Sequence, residues 1–271
     1  NNDTKSKDYS KIKDLVRPSH GDFSGFVKYN GFNDYRGGGH FSGRITAPLV
    51  FAGALAKQIL ESKGIYVGAH IQRVGKVEDD SFDRVNLNKE VLDSISVKEL
   101  PLLNNEKIDE IKREILNARQ NGDSVGGAIE CSLIGINPGI GNPFFDSLES
   151  VIAHLAFSVP AVKGIEFGLG FDFAKENASK VNDEYHIENG KIRTYTNNNG
   201  GIVGGITNGM PVVFRVAIKP TPSISKEQRT VNIKTMEEGI LKIEGRHDPC
   251  IVQRAVAVIE AIAALAVLEV L

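Results

Sequence analysis

The sequence predicts an α/β domain in which long apolar helices are covered by sheets. Two observations carry that reading. Stretches with the period-2 alternation of strands are interleaved with stretches of helical period, and most are separated by turn residues. Within the 271 residues there is also no internal repeat and no clean linker, so residues 1–271 read as a single domain with enough chain to fill a large core.

The elements follow in order. Residues 1–45 read as loop with short extended pieces, charged at first and then rich in Gly, Asn, Asp and aromatics. A helix is expected from 46 to 63, with Thr46 as its cap, Pro48 in the first turn and Gly64 just past the end. Residues 64–77 read as a strand or hairpin arm. The stretch 105–121 is amphipathic, with Ile108, Ile111, Ile115 and Leu116 on one face. A buried strand is expected over 124–136, broken by Asn137-Pro138-Gly139. Asp146 and Glu149 then have capping-box spacing for a helix through Phe157. Residues 164–171 return as a strand, and 174–191 read as a charged, mobile connection. Alternation predicts a strand over 211–219 and another near 230–234.

The apolar run 250–271 carries Gln253, Arg254, Glu260 and Glu269. These are costly in lipid, so a buried helix is expected rather than a membrane span. The opening residues are polar and charged, unlike a signal peptide. The chain begins at Asn1 instead of Met, as a processed or truncated chain would. A formal net charge of -2 gives no reason to expect a nucleic-acid or membrane partner. Cys131 and Cys250 have no metal or redox spacing and read as reduced, packed thiols of a cytoplasmic protein.

Chemistry is expected where polar or cationic side chains meet glycine or turn residues. Five segments do so: 17–22 with Arg17, His20 and Asp22; 37–44, a triple glycine followed by His40, Phe41, Ser42 and Arg44; 196–209, rich in Asn and Gly; 219–223, Lys-Pro-Thr-Pro-Ser; and 246–249, with Arg246, His247 and Asp248. A turn histidine beside an Arg suits an anionic substrate. Backbone N–H groups before a helix make an anion cradle. Arg44 and Ile45 stand where a nucleotide P-loop needs Lys and Ser or Thr, which excludes that motif. Clustered glycines leave room for a flat ring, without the arrangement of a Rossmann site. Taken alone, 17–22, 196–209 and 219–223 read more readily as surface loop, polar hairpin and strand exit, 37–44 reads equally as a tight loop or a ligand site, and 246–249 leans toward function over a helix cap. His70, His154 and His186 lack metal-ligand spacing and read as packed or solvated.

At these same segments the sequence resembles the chorismate synthase family. RPSHGD at 17–22, GGGHFSGRIT at 37–46, NNNGGIVGGITNGMP at 197–211, KPTPSI at 219–224 and GRHDPCIVQRAVAVIEA at 245–261 occur in family order. FFDSLES and PAVKGIEFG lie between them. The resemblance implies a β-α-β sandwich, a homotetramer, and reduced FMN bound beside 5-enolpyruvylshikimate 3-phosphate. The implied reaction is an anti 1,4-elimination of phosphate without net redox change, the last common step toward the aromatic amino acids. It assigns His20 to protonation of the reduced flavin and Asp248 to proton removal. Arg17, Arg44 and Arg246 become substrate-anion contacts. Flavin contacts fall on His40, Phe41, Ser42, Ala161, Gly204, Lys219, Pro220, Thr221, Pro222, Ser223 and Arg246. Some family members reduce their flavin with NAD(P)H.

Departures from the family pattern are visible. The family's opening segment, with its SHG histidine, is not matched in this chain. His40 stands where many members have Arg, Ile45 where many have Glu, and Pro160 where some have Asn. The alternative expectation is an inactive, truncated remnant that still binds flavin or phosphate.

Overall fold

In the computed structural model, which describes residues 13–35, 38–243 and 248–271, the central strand shows why the sheet forms. Strand β3 (Gly127–Ile134) points Ile129, Cys131 and Leu133 to one side, each with no exposed surface. Glu130 and Ser132 point to the other, as the two-residue period requires. On its flanks lie β1 (Tyr66–Val74), which is extended by the short β2 (Val77–Glu78), and β9 (Val212–Ile218), next to β4 (Val162–Phe167). The order is β2-β1-β3-β9-β4, and every pair is antiparallel. Register stacks Ala69, Cys131, Phe214 and Phe167 in one row, so the apolar residues of four strands share a face.

That face is covered by α7 (Val252–Val270), whose Val252, Ile259, Ile262, Ala263, Ala264, Ala266 and Val267 have no exposed surface. The expected buried C-terminal helix is therefore present. Among the described residues no helix is long and apolar enough to cross a membrane. Against α7 pack α2 (Thr46–Glu61) and α5 (Leu148–Ser158). A Cβ on Gly53 would collide with Ala261, so small residues are what let α2 and α7 approach so closely. Gly64, at φ 77°, stands just past the end of α2 as its sequence predicts.

The remaining elements are α1 (Asp22–Lys28), α3 (Lys89–Ser96), α4 (Ile108–Gln120) and α6 (Ala178–Val181). The described residues also form three hairpins: β5 (Tyr185–Glu188) with β6 (Lys191–Thr194), β7 (Ile202–Val203) with β8 (Ile206–Thr207), and β10 (Gln228–Asn232) with β11 (Glu237–Leu241).

The differences from expectation have local causes. The helix after 146 is capped by Ser147, whose Oγ accepts from Ser150 N at 3.1 Å, one residue later than the Asp146 reading. Strand β4 stops at Phe167 because Gly168 turns at φ 56°, where any Cβ would strike the Asn198 carbonyl. Residues 174–191, expected as a mobile connection, contain α6, β5 and the turn into β6. Residues 22–28, expected as loop, are helical. Leu116 of α4 is 47% exposed instead of buried. Both cysteines are free and buried.

Candidate functional site

The C-terminal end of β9 delivers Lys219, and two distant segments converge on it. Lys219 N donates to Ala161 O at 2.9 Å, which ties it to the tight turn before β4, where Ala161 adopts φ 76°. Its ammonium donates to Ser19 O at 2.6 Å. Four residues on, Ser223 Oγ lies 2.8 Å from His20 Nε2. Residues about 200 apart in sequence are thus joined at one place. The loop 219–225 is fixed from behind, since Ser124 Oγ donates to Thr221 O at 2.6 Å and Ser225 N to Gly122 O at 2.9 Å.

Arg17 organises the other side. Its Nε and Nη2 donate to the two oxygens of Asp22 at 2.7 Å each, a forked pair, and its backbone N donates to Asp22 at 3.1 Å. Burial alone would raise the Asp22 carboxyl, but the Arg17 hydrogen bonds and charge hold it below its usual range. Gly21 and Gly25, at either end of the first turn of α1, leave room for the Phe41 ring. A Cβ at Gly21 would come within 2.7 Å of that ring. So Arg17, His20, Asp22, Phe41, Ala161, Lys219 and Ser223 form a contiguous cluster. Beside it a cavity of about 220 Å³ is lined by Lys13, Arg17, Asp22, Phe26, Tyr35 and Lys234 among others.

The cluster is electropositive, and His20 reports it. Burial, then the Arg17 charge, pull its pKa down to about 4, with Asp22 opposing and Lys219 adding to the fall. Near neutrality the imidazole is uncharged, able both to donate and to accept. The Lys219 ammonium is itself pulled below its usual value by burial and then by Lys163, so it holds its proton less tightly. Thr221 Oγ1 is buried with no hydrogen-bond partner among the described residues.

The other expected site residues are placed as follows. His40 and Arg44 are exposed, in consecutive 3₁₀ turns before α2, with Ser42 Oγ accepting from Arg44 N at 3.3 Å. Pro220 and Pro222 sit within the Lys219–Ser223 loop, Pro220 exposed and Pro222 partly buried. Asp248 precedes α7, where one oxygen accepts from Cys250 N at 3.2 Å and the other pairs with Arg254. Gly204 is not in the cluster. It lies in the β7–β8 turn, next to the start of α5 and before the N-terminal end of β9. The extended strand of β9, roughly 23 Å long, separates that end from Lys219. Arg246, and His247 beside it, lie outside the described residues.

Sequence reasoning missed one cluster of ionisable groups. His70, read as packed or solvated, is buried with Nδ1 3.2 Å from Asp79 and Nε2 3.0 Å from Glu130. The three lie on strands and a turn up to 60 residues apart, and no spacing rule joins them. Among the described residues no group of His, Cys, Asp and Glu could hold a metal ion.

The family model described as chorismate synthase matches residues 1–271. A chorismate synthase of Pyrococcus abyssi is 47% identical over 265 residues, covering 97% of this chain and 72% of that protein. The Thermococcus kodakarensis chorismate synthase is 45% identical, covering 99% and 74%. A crystal structure of a chorismate synthase superposes with a TM-score of 0.74 at 31% identity, covering 91% of this chain and 68% of that one.

Proposed function

This chain belongs to the chorismate synthase family, and from that premise we propose that it eliminates phosphate from 5-enolpyruvylshikimate 3-phosphate to give chorismate, as a carbon–oxygen lyase. One observation carries the reading. The Ser19–His20 turn meets Lys219 and Ser223, about 200 residues away in sequence, in one cation-rich cluster next to Arg17. A substrate bearing carboxylates and a phosphate needs such a place: the point charge of Lys219 suits those groups, and Arg17, its fork closed on Asp22, adds positive charge beside it.

The same residues fit reduced FMN. The buried Thr221 hydroxyl, unpartnered among the described residues, the Lys219 ammonium and the stiff Lys219–Ser223 loop suit the phosphate end of the cofactor. Phe41, Ser42, His40 and Ala161 would take further contacts, together with Arg246, whereas Gly204, about a strand's length from Lys219, is assigned by the family resemblance alone. When bound, reduced flavin supplies electron density that helps phosphate leave, without net redox change.

The chain's own groups do the rest. Lys219 and Arg17 hold negative charge and orient it. Anion binding offsets their repulsion of His20, so the His20 pKa rises from about 4 toward neutrality and the ring can hold and pass a proton at Nε2. Asp248, fixed by Cys250 N and Arg254, is the carboxylate that assists loss of the ring proton. Arg44, exposed before α2, meets substrate anion from outside. Residues 1–271 act as one domain in this reading, in a cytoplasmic homotetramer, and the flavin is kept reduced by NAD(P)H or an outside donor.

The test is anaerobic turnover with dithionite-reduced FMN and 5-enolpyruvylshikimate 3-phosphate, following chorismate and phosphate together. Equal release of both is expected. His20→Ala and Asp248→Ala should each lose about 10²–10⁴-fold in turnover while the fold survives. Near-normal turnover in both would overturn their assignment, and consumption of one reductant per product would overturn the lyase reading.

A further inference from the structure

The face of the sheet turned away from α7 carries a row of charge across four strands. Register places His70 of β1 opposite Glu130 of β3, Glu130 opposite Arg215 of β9, and Arg215 opposite Glu166 of β4. Arg215 pairs with Glu166 at 2.8 Å. Asp79, from the turn after β2, closes the other end on His70. His70 and Glu130 have no exposed surface, and Asp79 has 6%.

Both ring nitrogens of His70 face carboxylates, which when ionised only accept hydrogen bonds. Only the doubly protonated imidazolium satisfies both. Each carboxylate also holds backbone of the stretch that follows β2. Asp79 accepts from Leu103 N at 2.6 Å and Asn104 N at 2.9 Å, and Glu130 accepts from Phe82 N at 2.7 Å. The Phe82 ring stands edge-on to His70 with centroids 4.6 Å apart.

From Phe82 the contacts run on to the glycine-rich loop. Arg84 O accepts from the Asn197 amide at 2.8 Å, and Val85 O from Arg193 at 2.7 Å. Asn197, 2% exposed, also donates to Pro211 O at 2.8 Å and accepts from Gly201 N at 2.7 Å. The loop from 197 to 205, with four glycines at positive φ, therefore rests on the Phe82–Val85 turn, and that turn rests on Glu130.

We propose that His70, with Asp79 and Glu130, is a positioning group that braces the glycine-rich loop 197–205 in its binding conformation, and that the brace holds only while His70 is protonated. That this loop binds flavin rests on the function proposed above; the brace itself does not. The ionisable groups facing the ring are Asp79 and Glu130. Next in the row stands Arg215 with Glu166, and the Phe82–Val85 turn presents only the apolar Phe82 edge. Burial would lower the His70 pKa, but hydrogen bonds and charge from Asp79 and Glu130 raise it above the usual value. A histidine raised on folding stabilises below its unfolded pKa and loses that contribution as pH rises through the folded one. The brace should thus weaken on the alkaline side.

Amide hydrogen exchange on the full chain from pH 6 to 10, corrected for intrinsic rates, tests this. Phe82 and Gly201 should lose protection together as pH rises, while Val216 in the β3–β9 ladder keeps its own. In His70→Gln both amides should exchange about tenfold faster at pH 7, with their pH dependence gone. Uniform loosening that includes Val216, or unchanged Phe82 and Gly201 in both series, overturns the proposal. If His70→Gln fails to fold, the wild-type series alone decides. Binding of FMN, titrated in parallel, separates the two readings. Selective loss of Phe82 and Gly201 protection supports the brace even in a chain that binds no FMN, and absent binding then counts only against the flavin assignment.

Discussion

Acid should destabilise this protein through His20, by an amount that its surroundings set. The ring is half-buried between Arg17 and Lys219, and its pKa falls from 6.5 to about 4. Between those values the unfolded chain takes up a proton that the folded chain refuses. Stability therefore rises with pH across the window, is fully present above 6.5, and is lost as pH falls toward 4. At full strength that displacement is worth about 3.4 kcal/mol. Because the ring keeps contact with solvent, roughly half of it, about 1.5–2 kcal/mol, is expected. The assay is urea unfolding of the wild type and His20→Asn at intervals from pH 4 to 7. Carboxylate titrations common to both proteins largely cancel in the difference. The wild-type penalty should grow by that amount on acidification, and the His20 Cε1–H resonance should titrate below pH 5. Parallel stability profiles, or a resonance midpoint near 6.5, would refute the argument from burial and neighbouring cations. Inorganic phosphate or FMN should move the midpoint upward, since an anion offsets the two cations that hold it down.

Two further outcomes follow from the packing and from the cluster. Gly53→Val forces a side chain into Ala261 where α2 and α7 are closest, and should cost about 1–3 kcal/mol in chemical unfolding; an unchanged midpoint would show that the helices can separate freely. Lys219→Ala removes the ammonium held by Ser19 O, so FMN should bind at least about tenfold more weakly. The His20 midpoint should rise in the same variant, because one repelling cation is gone, and a fall would mean that Lys219 does not repel the protonated ring.

Legibility of the fold tracked how far one physical signal dominated each segment. Strands β3 and β9 were readable because burial on the α7 face imposes a two-residue alternation, and α7 because its apolar run is too charged for lipid. The β5–β6 hairpin was missed for the opposite reason. Its strands are mostly exposed and charged, so hydrophobic pattern says little. Its local signal is Asn189-Gly190, both at positive φ, which is the pair a tight two-residue hairpin turn requires. Helix α1 was hidden by Gly25, a poor helix former that is there to make room for Phe41. Helix α3 lies in residues 78–104, which the sequence pattern left unassigned, although Asn88 caps it by accepting from Val91 N at 3.1 Å.

The site was legible as motifs and not as partnerships. Arg17, His20, Lys219 and Ser223 could each be chosen from the sequence because loop residues of those types have few structural reasons to cluster with glycine and proline. Which of them meet depends on strand register. Lys219 reaches Ser19 because β9 ends beside the turn at Ala161, and Gly204 stands apart because it precedes the other end of the same strand. The His70 cluster shows the same limit more sharply. His70, Asp79 and Glu130 lie in segments with no functional pattern, and their meeting is decided by the pairing of β1 with β3. A buried ion row of this kind is weak evidence for stability, since desolvation offsets much of its attraction. What it fixes is geometry. The carboxylates that hold Phe82, Leu103 and Asn104 can do so without repelling each other only while an imidazolium stands between them, so a conformational role accounts for its burial better than a purely stabilising one.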